Sequence, residues 1–70
     1  KGDYNFIFAD PPYAFSHSEL LGLVDLVFDK TLLSDQGQFI LEHQKDHDFS
    51  QHPHWVNSRK FGGSVFSFFE

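Results

Sequence analysis

The apolar run Tyr4-Asn5-Phe6-Ile7-Phe8-Ala9 stops at Asp10-Pro11-Pro12, and this junction limits the possible folds more than any other stretch of the chain. Aromatic and β-branched residues in a short, nearly continuous run predict a strand, here one buried on both faces. Two consecutive prolines remove two backbone donors and fix φ, so the strand cannot continue past Asp10.

A helix is expected next. Ser16 and Glu19 have the spacing of a capping box, and Leu20, Leu23, Val24, Val27 and Phe28 then recur as one helical stripe, with Asp25 and Asp29 turned away from it. Leu21 and Leu26 widen the apolar face, Gly22 marks a close approach, and the helix is expected to end near Lys30 or Leu33. Ser34-Asp35-Gln36-Gly37 reads as a turn, and Gln38 to His43 as a second buried strand. Strand, helix and strand in this order form a βαβ unit with parallel strands. Glu42 then lies on the same edge of the sheet as Asp10, where ligands of open parallel sheets bind. Gln44 to Pro53 is polar and aperiodic, and is read as a loop. His54 to Phe61 and Ser64 to Phe69 flank Gly62-Gly63, a hairpin signal, with Val65 to Phe68 expected to be buried on both sides.

Composition sharpens this outline. A chain of 70 residues that is 19% aromatic, with ten Phe, carries ring surface that favours burial at about 25 cal/mol per Å². Domains of this size bury only about 60% of the surface of the unfolded chain. With no cysteine, disulfides and thiolate metal sites are excluded as compensation. Part of the core is therefore expected to come from outside these residues. A formal net charge of −5 disfavours a strong independent grip on phosphate backbones. No run is long enough to cross a bilayer, and no signal peptide is evident; the chain reads as soluble and cytoplasmic.

Asp-Pro-Pro-Tyr at the end of a buried strand suits one chemistry in particular. Exocyclic amines of nucleobases are poor nucleophiles, because the nitrogen lone pair is delocalised into the ring. To methylate one, an enzyme must accept hydrogen bonds from the amine while an electrophilic methyl group is presented to it. Asp10 supplies a carboxylate acceptor, and the Pro11 carbonyl, held by the locked φ of Pro11 and Pro12, supplies a second. Tyr13 offers a flat face for an extruded base, a stacking contact worth about 1 to 3 kcal/mol, and Phe15 extends that platform. As bare sequence, Asp-Pro-Pro is equally a strand-terminating turn; the strand, turn and helix around it favour the functional reading.

The segment Phe6 to Tyr13, the following helix, Gly37 to Glu42, and Trp55 to Phe69 with Arg59, Lys60, Gly62 and Gly63 together resemble the bacterial 16S ribosomal RNA guanine-N2 methyltransferases. That resemblance implies an α/β fold: the C-terminal part of a Rossmann-like class I methyltransferase, β-α-β followed by an antiparallel hairpin. Residues 1–70 would then be the C-terminal half of the catalytic domain. It implies S-adenosylmethionine as cofactor and ribosomal RNA or the small ribosomal subunit as partner. It also implies Asp10, Pro11, Pro12 and Tyr13 as catalytic residues, with Tyr13 against the substrate; apart from the resemblance, Phe15 is expected beside the substrate and Asp10 also on the cofactor side. The family's glycine-rich cofactor loop and its acidic partner have no counterpart here, so the 70 residues alone are expected to be inactive. They are also expected to self-associate through an open sheet edge. Adenine-N6 methylation of DNA or RNA remains open, as does a non-catalytic interaction module with a methyltransferase-like half-fold.

Other residues have blander readings. His43 and His47 have an i, i+4 spacing, but their segment has no helical period and no zincin signature. No metal is expected, and the five histidines are taken as exposed loop residues. Trp55 is expected to pack against the core, Arg59 and Lys60 to sit on a solvated edge, and Ser16 to cap the helix.

Overall fold

The computed structural model describes residues 4–70. In chain order these form β1 (Tyr4–Ala9), α1 (His17–Asp29), β2 (Leu33–His43), β3 (Trp55–Phe61) and β4 (Ser64–Phe69). One four-stranded sheet has the order β1-β2-β4-β3. β1 and β2 run parallel, and the other two pairs are antiparallel. The expected βαβ unit and closing hairpin are therefore both present. Among the described residues no helix is long and apolar enough to cross a membrane.

The helix begins with the full capping box: the Glu19 N–H donates to Ser16 Oγ at 3.1 Å, and the Ser16 N–H donates to Glu19 Oε1 at 2.8 Å. These bonds satisfy donors that the first turn cannot pair internally. The C-terminus closes just as tightly. The Leu32 N–H donates to the Val27 carbonyl and the Thr31 N–H to the Phe28 carbonyl, both at 3.2 Å, which is the Schellman pattern. That pattern needs a left-handed residue, usually glycine, and here Thr31 takes it at φ 54°.

β2 starts earlier than the sequence suggested. Leu33 already pairs with Tyr4, and the next described pair is Phe6 with Gln38, so β2 advances five residues while β1 advances two. The turn-like Ser34 to Gly37 is thus an irregularity inside a strand. Ser34 Oγ donates to Asn5 Oδ1 at 2.7 Å across the gap. Gly37 is required there, because a Cβ at this position would lie 2.8 Å from the Tyr4 carbonyl oxygen and 2.9 Å from Leu33 Cβ. Gly22, in contrast, has nothing near it; it marks no close approach.

The core lies on one face of the sheet. Leu20, Val24 and Val27 of the helix pack with Leu33, Phe39, Leu41 and Phe69 of the sheet and Phe49 of the loop after β2. Leu26 does not widen this face and is exposed. Phe49 lies in a segment that the sequence presents as polar. Two contacts hold that segment down: His52 Nε2 meets Asp25 Oδ1 at 2.8 Å, and the His54 ring stacks on Phe28 at 3.9 Å between centroids.

The opposite face is uncovered, contrary to the expectation that β1 and β4 are buried on both sides. Along β4, Val65, Ser67 and Phe69 are buried while Phe66 and Phe68 are half-buried. In β1, Tyr4, Phe6 and Phe8 are exposed, and only Ile7 and Ala9 reach the core. The reason is geometric: one helix and one loop can cover a single face. At the turn between β3 and β4, Gly62 takes a positive φ of 59°, as a tight hairpin requires.

Candidate active site at the carboxyl ends of β1 and β2

The register brings the ends of the two parallel strands together. Ala9 pairs with Leu41, so one further step sets Asp10 beside Glu42. An open cleft of about 180 Å³ forms there, lined by Asp10 to Tyr13, Leu20, Glu42 to Gln44, Gly63 and Ser64. The strand termination at the two prolines builds one wall, the end of β2 the floor, and the hairpin turn the opposite lip.

Within this cleft the polar groups of the motif are differently committed. The Pro12 carbonyl accepts from the Phe15 N–H at 3.0 Å, and the Tyr13 carbonyl accepts from Gln44 Nε2 at 3.2 Å. Among the described residues nothing donates to the Pro11 carbonyl, nor to the exposed Asp10 carboxylate. The Tyr13 ring is 83% exposed. Two oxygen acceptors and an open ring thus share one cleft, the first two without partners among the described residues. Asp10 is neither a local cap nor turned into the interior.

Electrostatically the cleft is acidic, with Asp10 and Glu42 among its lining residues and no Lys or Arg among the described residues that line it. It suits a hydrogen-bond donor such as an amine and repels phosphate. Arg59 and Lys60 lie exposed on β3, the outer strand. Phe15 is placed differently from expectation. It is half-buried against the core cluster and does not line the cleft, because the turn closed by its own N–H directs the chain back toward the helix. It adds no second stacking surface beside Tyr13.

The histidines also depart from the exposed-loop reading. His43 ends β2, as the strand expected over Gln38 to His43 has it, yet it is only 6% exposed, and the His52 side chain is 6% exposed. Desolvation holds the His43 ring below the ordinary histidine pKa, with the nearby His47 and His17 acting in the same direction and its bond to the Gln44 carbonyl opposing them. His17 and His47 approach each other at 3.2 Å between Nδ1 atoms, with rings inclined by 12° and His17 lying over Phe49. Gln44, Gly63 and Ser64 were missed as lining residues. The strand order that folds the hairpin turn back over the β1 terminus is not visible in local sequence.

Comparison with known proteins fits this description. A solved Haemophilus influenzae structure bearing the description "putative methylase" superposes with a TM-score of 0.74 at 18% identity, covering 99% of this chain and 43% of the other. The chain therefore spans less than half the length of that neighbour, and the likeness is one of fold. No curated protein sequence matches. The family model described as conserved hypothetical protein 95 matches residues 1–70, and the chain belongs to that family.

Proposed function

We propose that these residues form the amine-holding part of an S-adenosylmethionine-dependent methyltransferase whose target is the N2 amine of a guanine in 16S ribosomal RNA, acting in the cytoplasm. The observation that carries the reading is the pair of uncommitted acceptors, the Asp10 carboxylate and the Pro11 carbonyl, beside the exposed Tyr13 ring. An exocyclic amine has two N–H donors, and two acceptors can engage both. Accepting hydrogen bonds from both N–H groups polarises those bonds and raises the electron density on the nitrogen, and Tyr13 stacks the base so that the lone pair is aimed in one direction. As the amine becomes cationic during transfer, the Asp10 carboxylate stabilises the developing charge and is placed to receive a proton.

The residues do not form a cradle for the cofactor itself. A cleft of about 180 Å³ is smaller than the roughly 300 to 1,000 Å³ of sites that hold ligands of drug size, and among the described residues the one glycine that lines it is Gly63 of the hairpin turn. The methyl donor is therefore assigned to other parts of the whole protein, and the role of these residues is to hold the acceptor. Guanine is favoured over adenine by the resemblance set out above, since the acceptor geometry serves either amine.

The test is methyl transfer by the full protein to 16S ribosomal RNA, with the products digested to nucleosides and identified by mass. N2-methylguanosine is the expected product. N6-methyladenosine in its place overturns the guanine assignment, and no methylated nucleoside on RNA or DNA overturns the enzymatic reading.

A further inference from the structure

We propose that His43 is a positioning residue for the amine-holding loop: as the Nδ1–H tautomer it ends a one-way hydrogen-bond chain from Trp55 through Ser58 and Ser67, and fixes Gln44, whose side chain holds the Tyr13 carbonyl. The inference rests on the reading of Asp10 to Tyr13 as an amine-holding loop, and assigns to that loop a support from three strands.

The direction of the chain follows from its two ends. The indole of Trp55 can only donate, and Nε1 lies 2.9 Å from Ser58 Oγ. The Gln44 carbonyl can only accept, and His43 Nδ1 lies 2.7 Å from it. His43 Nδ1 therefore carries a hydrogen, since a bare nitrogen there would set two acceptors against each other. With the ring neutral, Nε2 is then an acceptor, and its partner at 2.6 Å, Ser67 Oγ, must donate to it. Ser67 in turn accepts from Ser58 at 2.8 Å, which has already accepted from Trp55. Each hydroxyl gives one hydrogen and receives one, and the proton order is the same throughout.

What this chain supports lies at the cleft. It crosses β3, β4 and β2 and stops at the Gln44 main chain, the first residue after β2. From there Gln44 Nε2 reaches the Tyr13 carbonyl at 3.2 Å, a contact spanning 31 positions in sequence. Besides it, the turn bond from the Phe15 N–H to the Pro12 carbonyl is the only other hydrogen bond that holds the loop's main chain among the described residues. Ser67 is wholly buried and His43 nearly so, so water cannot replace their bond without opening the sheet. Burial also keeps the ring neutral near pH 7 by disfavouring the charged form.

The experiment combines histidine-selective ¹⁵N NMR of the full protein with kinetics of His43→Phe, His43→Asn and Gln44→Ala. The His43 ring is expected to show a protonated Nδ1 and an unprotonated Nε2 near neutral pH; an Nε2–H tautomer overturns the proposal whatever the protein's activity. Phe fills the ring's space without the hydrogen bonds. His43→Phe and Gln44→Ala are each expected to lower kcat about 10- to 100-fold, the scale of a small misplacement of reacting groups, with the KM for S-adenosylmethionine unchanged. Asn can place an amide N–H where Nδ1 stood, so His43→Asn is expected to recover most of the loss. A folded His43→Phe variant, or Gln44→Ala, with wild-type kcat overturns the positioning role. Should His43→Phe not fold, Gln44→Ala, at the cleft surface, decides the matter. If the full protein methylates nothing, faster amide exchange at Phe15, whose N–H closes the loop turn on the Pro12 carbonyl, in Gln44→Ala still supports the mechanical link, and unchanged exchange overturns it.

Discussion

The two faces of the sheet are built from similar residues and meet different fates. On one, Phe39, Leu41 and Phe69 are sealed beneath the helix and the Phe49 loop; on the other, Phe6, Phe8 and Phe61 remain between 47% and 60% exposed. Phe8 and Phe66 lie 6.2 Å apart, and Phe61 and Phe66 meet edge to face at 5.4 Å, so the second face is a continuous apolar surface with no cover. An apolar pattern therefore specifies that a face should be covered without specifying that this chain covers it. Doubly covered sheets are the rule for parallel α/β architecture, and the chain spans 43% of its structural neighbour's length.

The largest test of this contrast is Phe39→Ala on the covered face. Truncating a wholly buried Phe costs about 3 to 5 kcal/mol, a large share of the stability of a domain this small, and loss of the cooperative transition in urea is the expected outcome. Next comes Thr31→Gly, which relieves a left-handed threonine where the helix closes against this face. A gain of about 1 kcal/mol is expected, read as a higher urea midpoint, and a loss contradicts the Schellman assignment. A third test uses pH. The His43 pKa lies below 6.5 in the folded chain, so the unfolded chain binds its proton more readily. The stability linked to this group is thus complete above about pH 6.5 and falls as the pH drops toward the folded pKa. His43→Phe should flatten that part of the curve. The smallest effect is expected on the open face, where Phe6→Ser should change stability by about 0.5 kcal/mol or less. A large loss there would mean that the open face is already sealed in solution.

Local sequence made much of this legible. The β1 terminus, the capping box at Ser16 and Glu19, and the Gly62-Gly63 hairpin all rest on residues whose backbone chemistry acts within a few positions. What could not be read depends on contacts between distant segments. The irregular start of β2 arises because Gly37 must fit against Tyr4 and Leu33. Phe49 became core because its loop folds over β2 and β4. His43 reads as an exposed histidine at the end of a strand until Ser67, 24 residues away, is placed beside it by strand order. In the cleft, Asp10 to Tyr13 announced themselves as a motif, whereas Gln44, Gly63 and Ser64 have no local signature. Phe15 illustrates the reverse error: next to a motif in sequence, it is drawn into the core by the turn that the motif initiates.

The role of the cleft is tested most directly by Asp10→Ala in the full protein, assayed for methyl transfer at saturating RNA and S-adenosylmethionine. Removing one of the two acceptors proposed to engage the amine should lower kcat by about 100-fold or more, the scale seen for loss of one preorganised hydrogen-bonding group. The folded state should be unaffected, because the exposed Asp10 carboxylate makes no hydrogen bond or ion pair among the described residues. A folded Asp10→Ala variant that turns over at the wild-type rate would contradict the account.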